Sequence, residues 1–265
     1  MKIERITSLK NPRVLAWRSL KEPKGRKAHE AFLVEGRRMV EEALNSSFPV
    51  QAVLIRDSAA DSEALAALEN RLTESGHPDM PVFLLPDQVL SAVCDTRTPQ
   101  GSAAMMGIRS RPLSGLKLIA LDGLQDPGNV GTILRTADAA GFDGAVLSPS
   151  CADVFSPKVL RATMGSIFRV GLAFPADFPA FLLHLRDEGY SLLSSQLDGD
   201  PFYDRRGVGD RLVLVVGNEG NGVSEEVRRL ATHRLRLPMR GGAESLNAAV
   251  AAGIMMYELM RGSKA

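Results

Sequence analysis

The chain has 265 residues, 45% hydrophobic and 24% charged, the balance of a soluble globular protein with a sizeable core. No run approaches the ~18 apolar residues of a membrane span, and the opening MKIERITSLKNPRV alternates charge with apolar residues, unlike an export signal. The net charge of +1 hides an asymmetry: residues 1–27 hold nine Lys and Arg against Glu4 and Glu22, a local +7, so the remainder sums to −6.

Such a basic arm suits phosphate neutralisation; it equally suits a solvated, poorly ordered tail, and charge alone leaves both readings open. Residues 29–45 predict a short extended piece followed by an amphipathic helix. A strand over 50–56, a helix over 61–75 with Asp61 near its N-cap, a strand over 81–86, a helix over 87–95 and a strand over 102–108 follow. Strands separated by helices define a first α/β unit, residues 1–108. RSRPLSGL, 109–116, has the Pro, Ser, Gly and charge of a linker.

A second α/β series fills 117–265. LKLIALDGL reads as a buried strand and NVGTILRTADAAG as a helix closed by Gly141. GAVLS is a strand, SPKVLRATMG a helix with Pro157 in its first turn, FRVGL a strand, FPAFLLHLRDEG a helix and YSLLSSQ a strand. RLVLVVGNEG is a nearly all-apolar strand that empties into glycines, SEEVRRLA a helix capped by Ser224, HRLRLPM a strand, and 241–262 the final helix. Apolar strands alternating with helices imply a mostly parallel sheet covered on both faces. Ligands gather at the carboxyl ends of such strands, which directs attention to the loops after residues 122, 195, 217 and 237.

Three of these loops are unusual. In DGLQDPGNVGTILRTADAAGF, Asn129 and Arg135 stand roughly 120° apart around a regular helix. Either Asn129 is an N-cap and Arg135 a surface cation, or Arg135 points at a phosphate or hydroxyl. In VVGNEGNGVS, three glycines within six residues either form a plain tight turn or let backbone amides approach a ligand. The loop fits neither a phosphate-binding loop nor a Rossmann fingerprint, which argues against a nucleoside triphosphate and a nicotinamide oxidoreductase. In GGAESLNAAVAAG, Ser245 is expected to cap the last helix with Glu244 at its positive end, and Asn247 to sit mildly unfavourably inside the first turn. Cys94, Cys151 and the four histidines are scattered without metal-ligand or redox spacing, so a reducing cytoplasm and no metal are expected.

Taken in order, NVGTILR, VVGNEGNG and LPMRGGAESLNAAVAAG resemble the three signature motifs of the SpoU/TrmH family of RNA 2′-O-methyltransferases, within the SPOUT superfamily. The resemblance covers roughly residues 116–261, and the first unit is similar to that family's ribosomal-protein-like (L30e-like) substrate-binding domain. It implies a trefoil-knotted α/β domain, S-adenosylmethionine as methyl donor and a homodimer built on the final helix. Carried over residue by residue, it implies catalytic roles for Arg135, Asn129, Glu219, Ser245 and Asn247. It implies a cofactor pocket of Gly217, Asn218, Gly220, Leu237, Met239, Leu246 and Asn247, with Glu219 orienting Arg135 or its surroundings. RNA contacts are expected from Lys10, Arg13, Arg18, Lys24, Arg26, Lys27 and Arg37. The layout, and the opening ITSLKNPRVLAWRSL, is similar to rRNA-directed members, making a 23S rRNA guanosine the expected target. A tRNA substrate, or a non-catalytic RNA-binding or ribosome-assembly role, is the alternative.

Overall fold

The computed structural model describes residues 1–109 and 113–261. The expected linker, 109–116, and the expected end of the final helix, Gly262, lie partly or wholly outside them. The described chain divides into two compact units, the first comprising Met1–Arg109 together with Phe155–Phe168, the second the remainder.

In the first unit, β1 (Lys2–Arg5) leads to helices α1 (Pro12–Ser19) and α2 (Pro23–His29), then to β2 (Ala31–Glu35), α3 (Arg37–Leu44), β3 (Val50–Arg56), α4 (Ser62–Glu74), β4 (Pro81–Leu85), α5 (Asp87–Val93) and β5 (Ser102–Gly107). The five strands form one mixed sheet in the order β1-β4-β3-β5-β2. The basic opening is therefore not a loose tail. Lys2 to Arg5 pair in parallel with Pro81 to Leu84, and two proline-led helices follow. One core gathers Trp17, Leu20, Leu33, Leu54, Phe83 and Leu85, with the Trp17 and Phe83 rings 5.1 Å apart.

Phe32 faces a different set of rings, Phe48 at 6.0 Å and Phe155 at 4.8 Å, while Phe48 meets Phe168 at 5.5 Å. These contacts explain why residues 155–168 group with the first unit. Each buried Phe contributes about 1.5–3 kcal/mol relative to exposure, and the segment carries two of them. That segment includes α7 (Pro157–Thr163) and ends in a 3-10 turn, Ser166–Phe168; the strand expected over FRVGL begins only at Gly171.

The second unit runs β6 (Lys117–Asp122), α6 (Pro127–Ala140) and β7 (Gly144–Leu147), then β8 (Gly171–Ala173), α8 (Phe178–Asp187), β9 (Ser191–Pro201), β10 (Leu212–Gly217), α9 (Glu225–Leu230), β11 (His233–Arg236) and α10 (Ala248–Met260). Its six strands are all parallel, in the order β11-β9-β10-β6-β7-β8. Every residue of β10 is buried, as an apolar run at the centre of a two-faced sheet requires. Alternate residues Leu118, Ala120, Val213 and Val215 meet α8 and α9 through Phe178, Leu182 and Val227. Helices α6 and α10 pack together and lie against β7 and β10. The neighbours β11, β9, β10 and β6 thus bring the loops after residues 237, 217 and 122 side by side with the 195–199 stretch inside β9, where the sequence had suggested that the strand ends.

Candidate active site

The loop after β10 is built from its own side chains. Asn218 and Gly222 exchange backbone hydrogen bonds of 2.9 Å, and Asn218 Oδ1 accepts from the amides of Gly220 and Asn221, each at 3.0 Å. Gly222 takes φ +69°, and a Cβ on Gly217 would come within 2.1 Å of Gly222 and Val223 backbone. The turn leaves no room for a side chain at Gly217, and glycine adopts the left-handed conformation at Gly222 without strain. The amides at 218, 220, 221 and 222 are consequently spent within the loop, which favours the tight-turn reading of this stretch over one in which they are presented to a ligand. Asn218 also donates Nδ2 to Gly123 O at 2.8 Å, tying this loop to the one after β6.

That neighbouring loop starts α6. Asp126, not Asn129, is the N-cap: its Oδ1 accepts from Asn129 N at 2.8 Å. Asn129 lies one turn inside, and its side chain links two other segments. Its Nδ2 donates to Glu219 Oε1 at 3.0 Å, and its Oδ1 accepts from Asn247 Nδ2 at 2.9 Å. The amide orientations follow from the ends of this chain. A carboxylate can only accept, and Asn247 Oδ1 accepts from Ala249 N at 2.9 Å and Val250 N at 3.3 Å. Asn247 is therefore the N-cap of α10, which begins at Ala248. This overturns the placement of Ser245 as cap and of Asn247 within the first turn; Glu244 and Ser245 precede the helix. Ser224 does stand at the N-cap of α9, but without a side-chain capping bond; its own amide donates to Asp122 Oδ2 at 2.8 Å.

Glu219 also accepts from the amides of Gln125 at 3.3 Å and Asp126 at 3.2 Å. Partial burial pushes its carboxyl up, but the bonds from the Asn129 side chain and the backbone amides outweigh that and hold it below the ordinary carboxylate range. A carboxylate so stabilised is a poor proton acceptor. Its partners are Asn129 and the start of α6, the surroundings of Arg135 rather than Arg135 itself. Arg135 is exposed on α6 and makes no hydrogen bond or ion pair among the described residues.

These loops surround a cavity of about 660 Å³, within the range of small-molecule sites. Gly217, Asn218, Glu219, Gly220, Leu237, Met239, Ser245, Leu246 and Asn247 all line it. Asn129 and Arg135 do not; Asn129 joins the wall through Glu219 and Asn247. Motif reading missed Ser195, Gln196, Leu197, Asp198 and Arg228, along with Ala251 and Met255 of α10, all of which line the cavity. A loop was expected after 195, but β9 continues to Pro201 with a register shift, and its ordinary residue types named no candidate. No group of metal-ligating side chains occurs among the described residues.

In the first unit, Lys10, Arg18, Lys24 and Lys27 are exposed. Arg13 pairs with Glu4 at 2.6 Å and lies over the Phe83 ring, and Arg37 pairs with Glu41 at 3.0 Å. Arg26 is a correction. It is 3% exposed, and its Nη1 donates to the carbonyls of Leu20 and Lys21 at 2.8 Å each, so it braces the α1–α2 turn instead of facing RNA.

A parallel sheet thus gathers glycine- and asparagine-built loops from distant segments around one mixed apolar and polar cavity, the arrangement that the resemblance to SpoU/TrmH methyltransferases implies. Residues 117–257 match the SpoU rRNA methylase family, and residues 11–104 match the MRM3-like substrate-binding domain. The chain belongs to the SpoU rRNA methylase family, as an enzyme that methylates RNA with S-adenosylmethionine. It is 36% identical over 258 residues, 97% of this chain and 99% of the relative, to the 23S rRNA (guanosine(2553)-2′-O)-methyltransferase RlmP of Bacillus subtilis. The AdoMet-bound rRNA methyltransferase of Sinorhizobium meliloti superposes with a TM-score of 0.88 at 31% identity, covering 99% of each chain. The SpoU methyltransferase AviRb of Streptomyces viridochromogenes, in complex with AdoMet, does so with a TM-score of 0.83 at 27% identity, over 95% of this chain and 98% of its own.

Proposed function

We propose that the protein methylates one ribose 2′-hydroxyl of 23S rRNA, with guanosine as the modified nucleotide, in the cytoplasm and as a homodimer. The observation that carries this reading is the hydrogen-bonded chain Glu219–Asn129–Asn247, which joins all three signature segments at the rim of one cavity. The rRNA target rests on end-to-end similarity to the Bacillus subtilis enzyme, whose substrate is a 23S rRNA guanosine.

When bound, S-adenosylmethionine supplies a methyl group attached to a positively charged sulfur. The residues present fit it: Leu237, Met239 and Leu246 give apolar walls, the rigid 217–222 turn fixes the shape, and Ser245 and Asn247 add polar atoms. Holding the donor aligned with a ribose oxygen is worth several kcal/mol, up to ~7–11 in the best-oriented cases. Glu219, saturated with donors, keeps the start of α6 in place and thereby the helix that carries Arg135. Arg135 has no competing protein partner, which suits a guanidinium that stabilises the developing alkoxide and grips the adjoining phosphate. An arginine stays charged, so the hydroxyl proton passes to water or to a phosphate oxygen.

The first unit, taken as the RNA-binding domain, would hold the substrate through Lys10, Arg13, Arg18, Lys24, Lys27 and Arg37, phosphates setting register and unpaired bases giving selectivity. Residues 117–265 form the catalytic domain in this reading, with the trefoil knot of its family. The homodimer is supported by α10, where Val250, Ile254 and Tyr257 form an exposed apolar stripe at helical spacing. An Arg135→Lys variant tests the role of the guanidinium. A large loss of turnover with cofactor affinity retained is expected; near-normal turnover would remove the planar fork from the reaction.

A further inference from the structure

The part of the cavity wall supplied by β9, which lies between β10 and β11, departs from the regular sheet. Strand β11 pairs with β9 through Arg234↔Ser194 and then through Leu235↔Asp200, so residues 195–199 bulge out between two consecutive residues of β11. Gly199 pinches the base of this bulge: a Cβ there would lie 2.6 Å from the backbone of Arg234 and Leu235, and its carbonyl accepts from Arg236 Nε at 2.9 Å. Ser195, Gln196, Leu197 and Asp198 all face the cavity, and Leu197 is 73% exposed there. An apolar side chain held this open on a short excursion from a sheet needs something to fix it.

Arg228 of α9 is what fixes it. Its Nε donates to Gln196 Oε1 at 3.1 Å, and its Nη2 reaches both oxygens of Asp198, at 2.9 and 3.2 Å. The other end of the Gln196 amide is occupied too, donating to Ser194 Oγ at 2.8 Å. A lone exposed ion pair would contribute little, but this is a network from one guanidinium, its side chain 32% exposed, to both sides of Leu197, with the Asp198 side chain 69% exposed.

We propose that Arg228 is a positioning residue for the cofactor, clamping the 195–199 bulge so that Leu197 and the adjoining backbone form a preformed wall of the S-adenosylmethionine cavity. Without the clamp the bulge samples other conformations, and binding must first order it. The inference rests on the cavity being the cofactor site.

Calorimetric titration of S-adenosylmethionine into the full-length protein tests it, using Arg228→Met, Asp198→Asn and the double variant. Each single variant is expected to raise Kd about tenfold, and the double variant no more than the worse single one, because both break the same clamp. Affinity for RNA without cofactor should stay at the wild-type value, which a general loss of fold would not allow. Wild-type affinity in both singles, or effects that multiply to about a hundredfold in the double, would overturn the clamp while leaving the cofactor site intact. A wild-type protein that bound no S-adenosylmethionine would overturn the site itself.

Discussion

Asn129 Nδ2 lies 3.0 Å from Glu219 Oε1, across 90 positions of sequence, and the same Asn129 accepts from Asn247 at 2.9 Å. One amide thus sets the spacing between the helix that bears Arg135, the glycine turn after β10 and the cap of α10. Asn129→Ala removes both bonds and Asn129→Asp sets a second carboxylate against Glu219. Both are expected to cut single-turnover methyl transfer roughly 100-fold, the scale at which small misplacements act. Asn129→Asp should be the worse of the two, and equal or milder loss in rapid-quench assays would mean that the spacing is set elsewhere.

Glu219 gives the site a pH signature. Its folded pKa is lowered, so its bonds stabilise the protein above the unfolded value near 4.5, and that stability is lost as pH falls through the depressed folded pKa. Thermal unfolding of wild type and Glu219→Gln should differ at neutral pH and converge in acid, once pH has fallen below the depressed folded pKa. A gap that persisted unchanged in acid would show that the carboxylate's charge plays no part.

Much of this was legible from the chain. The order of strands and helices, the parallel sheet and the gathering of residues 217, 237 and 247 follow from apolar periodicity, loop chemistry and the motif resemblance. What was not legible depended on pairing that no local pattern carries. SLLSSQLDGDP looks like a strand running into a turn, and only its register against β11 creates the bulge at 195–199. Charge counting could not tell that Arg26 is spent on two carbonyls while Lys24 and Lys27 face solvent. Capping preference ranks Ser and Asn alike, so Ser245 and Asn247 could be told apart only by where α10 starts.

Gly217→Ala should damage the turn from within. The added methyl meets Gly222 and Val223 backbone at 2.1 Å, which cannot yield as a side-chain tip can. A loss of about 1–3 kcal/mol in denaturant unfolding is expected, with cofactor binding weakened more than RNA binding. Unchanged stability would show that the loop has room that its geometry denies.

The stripe on α10 predicts assembly. Val250→Asp or Tyr257→Arg puts charge into the apolar surface formed with Ile254 and should convert the protein to monomers by light scattering at working concentration. A wild-type mass of one chain would refute the dimer outright.

The most direct test of the central claim is transfer of labelled methyl from S-adenosylmethionine to 23S rRNA, with the product mapped by resistance of the adjoining phosphodiester to alkali. The account predicts one alkali-resistant position with wild-type protein and none with Arg135→Ala. Label on a base, no label at all, or full transfer by Arg135→Ala would contradict it.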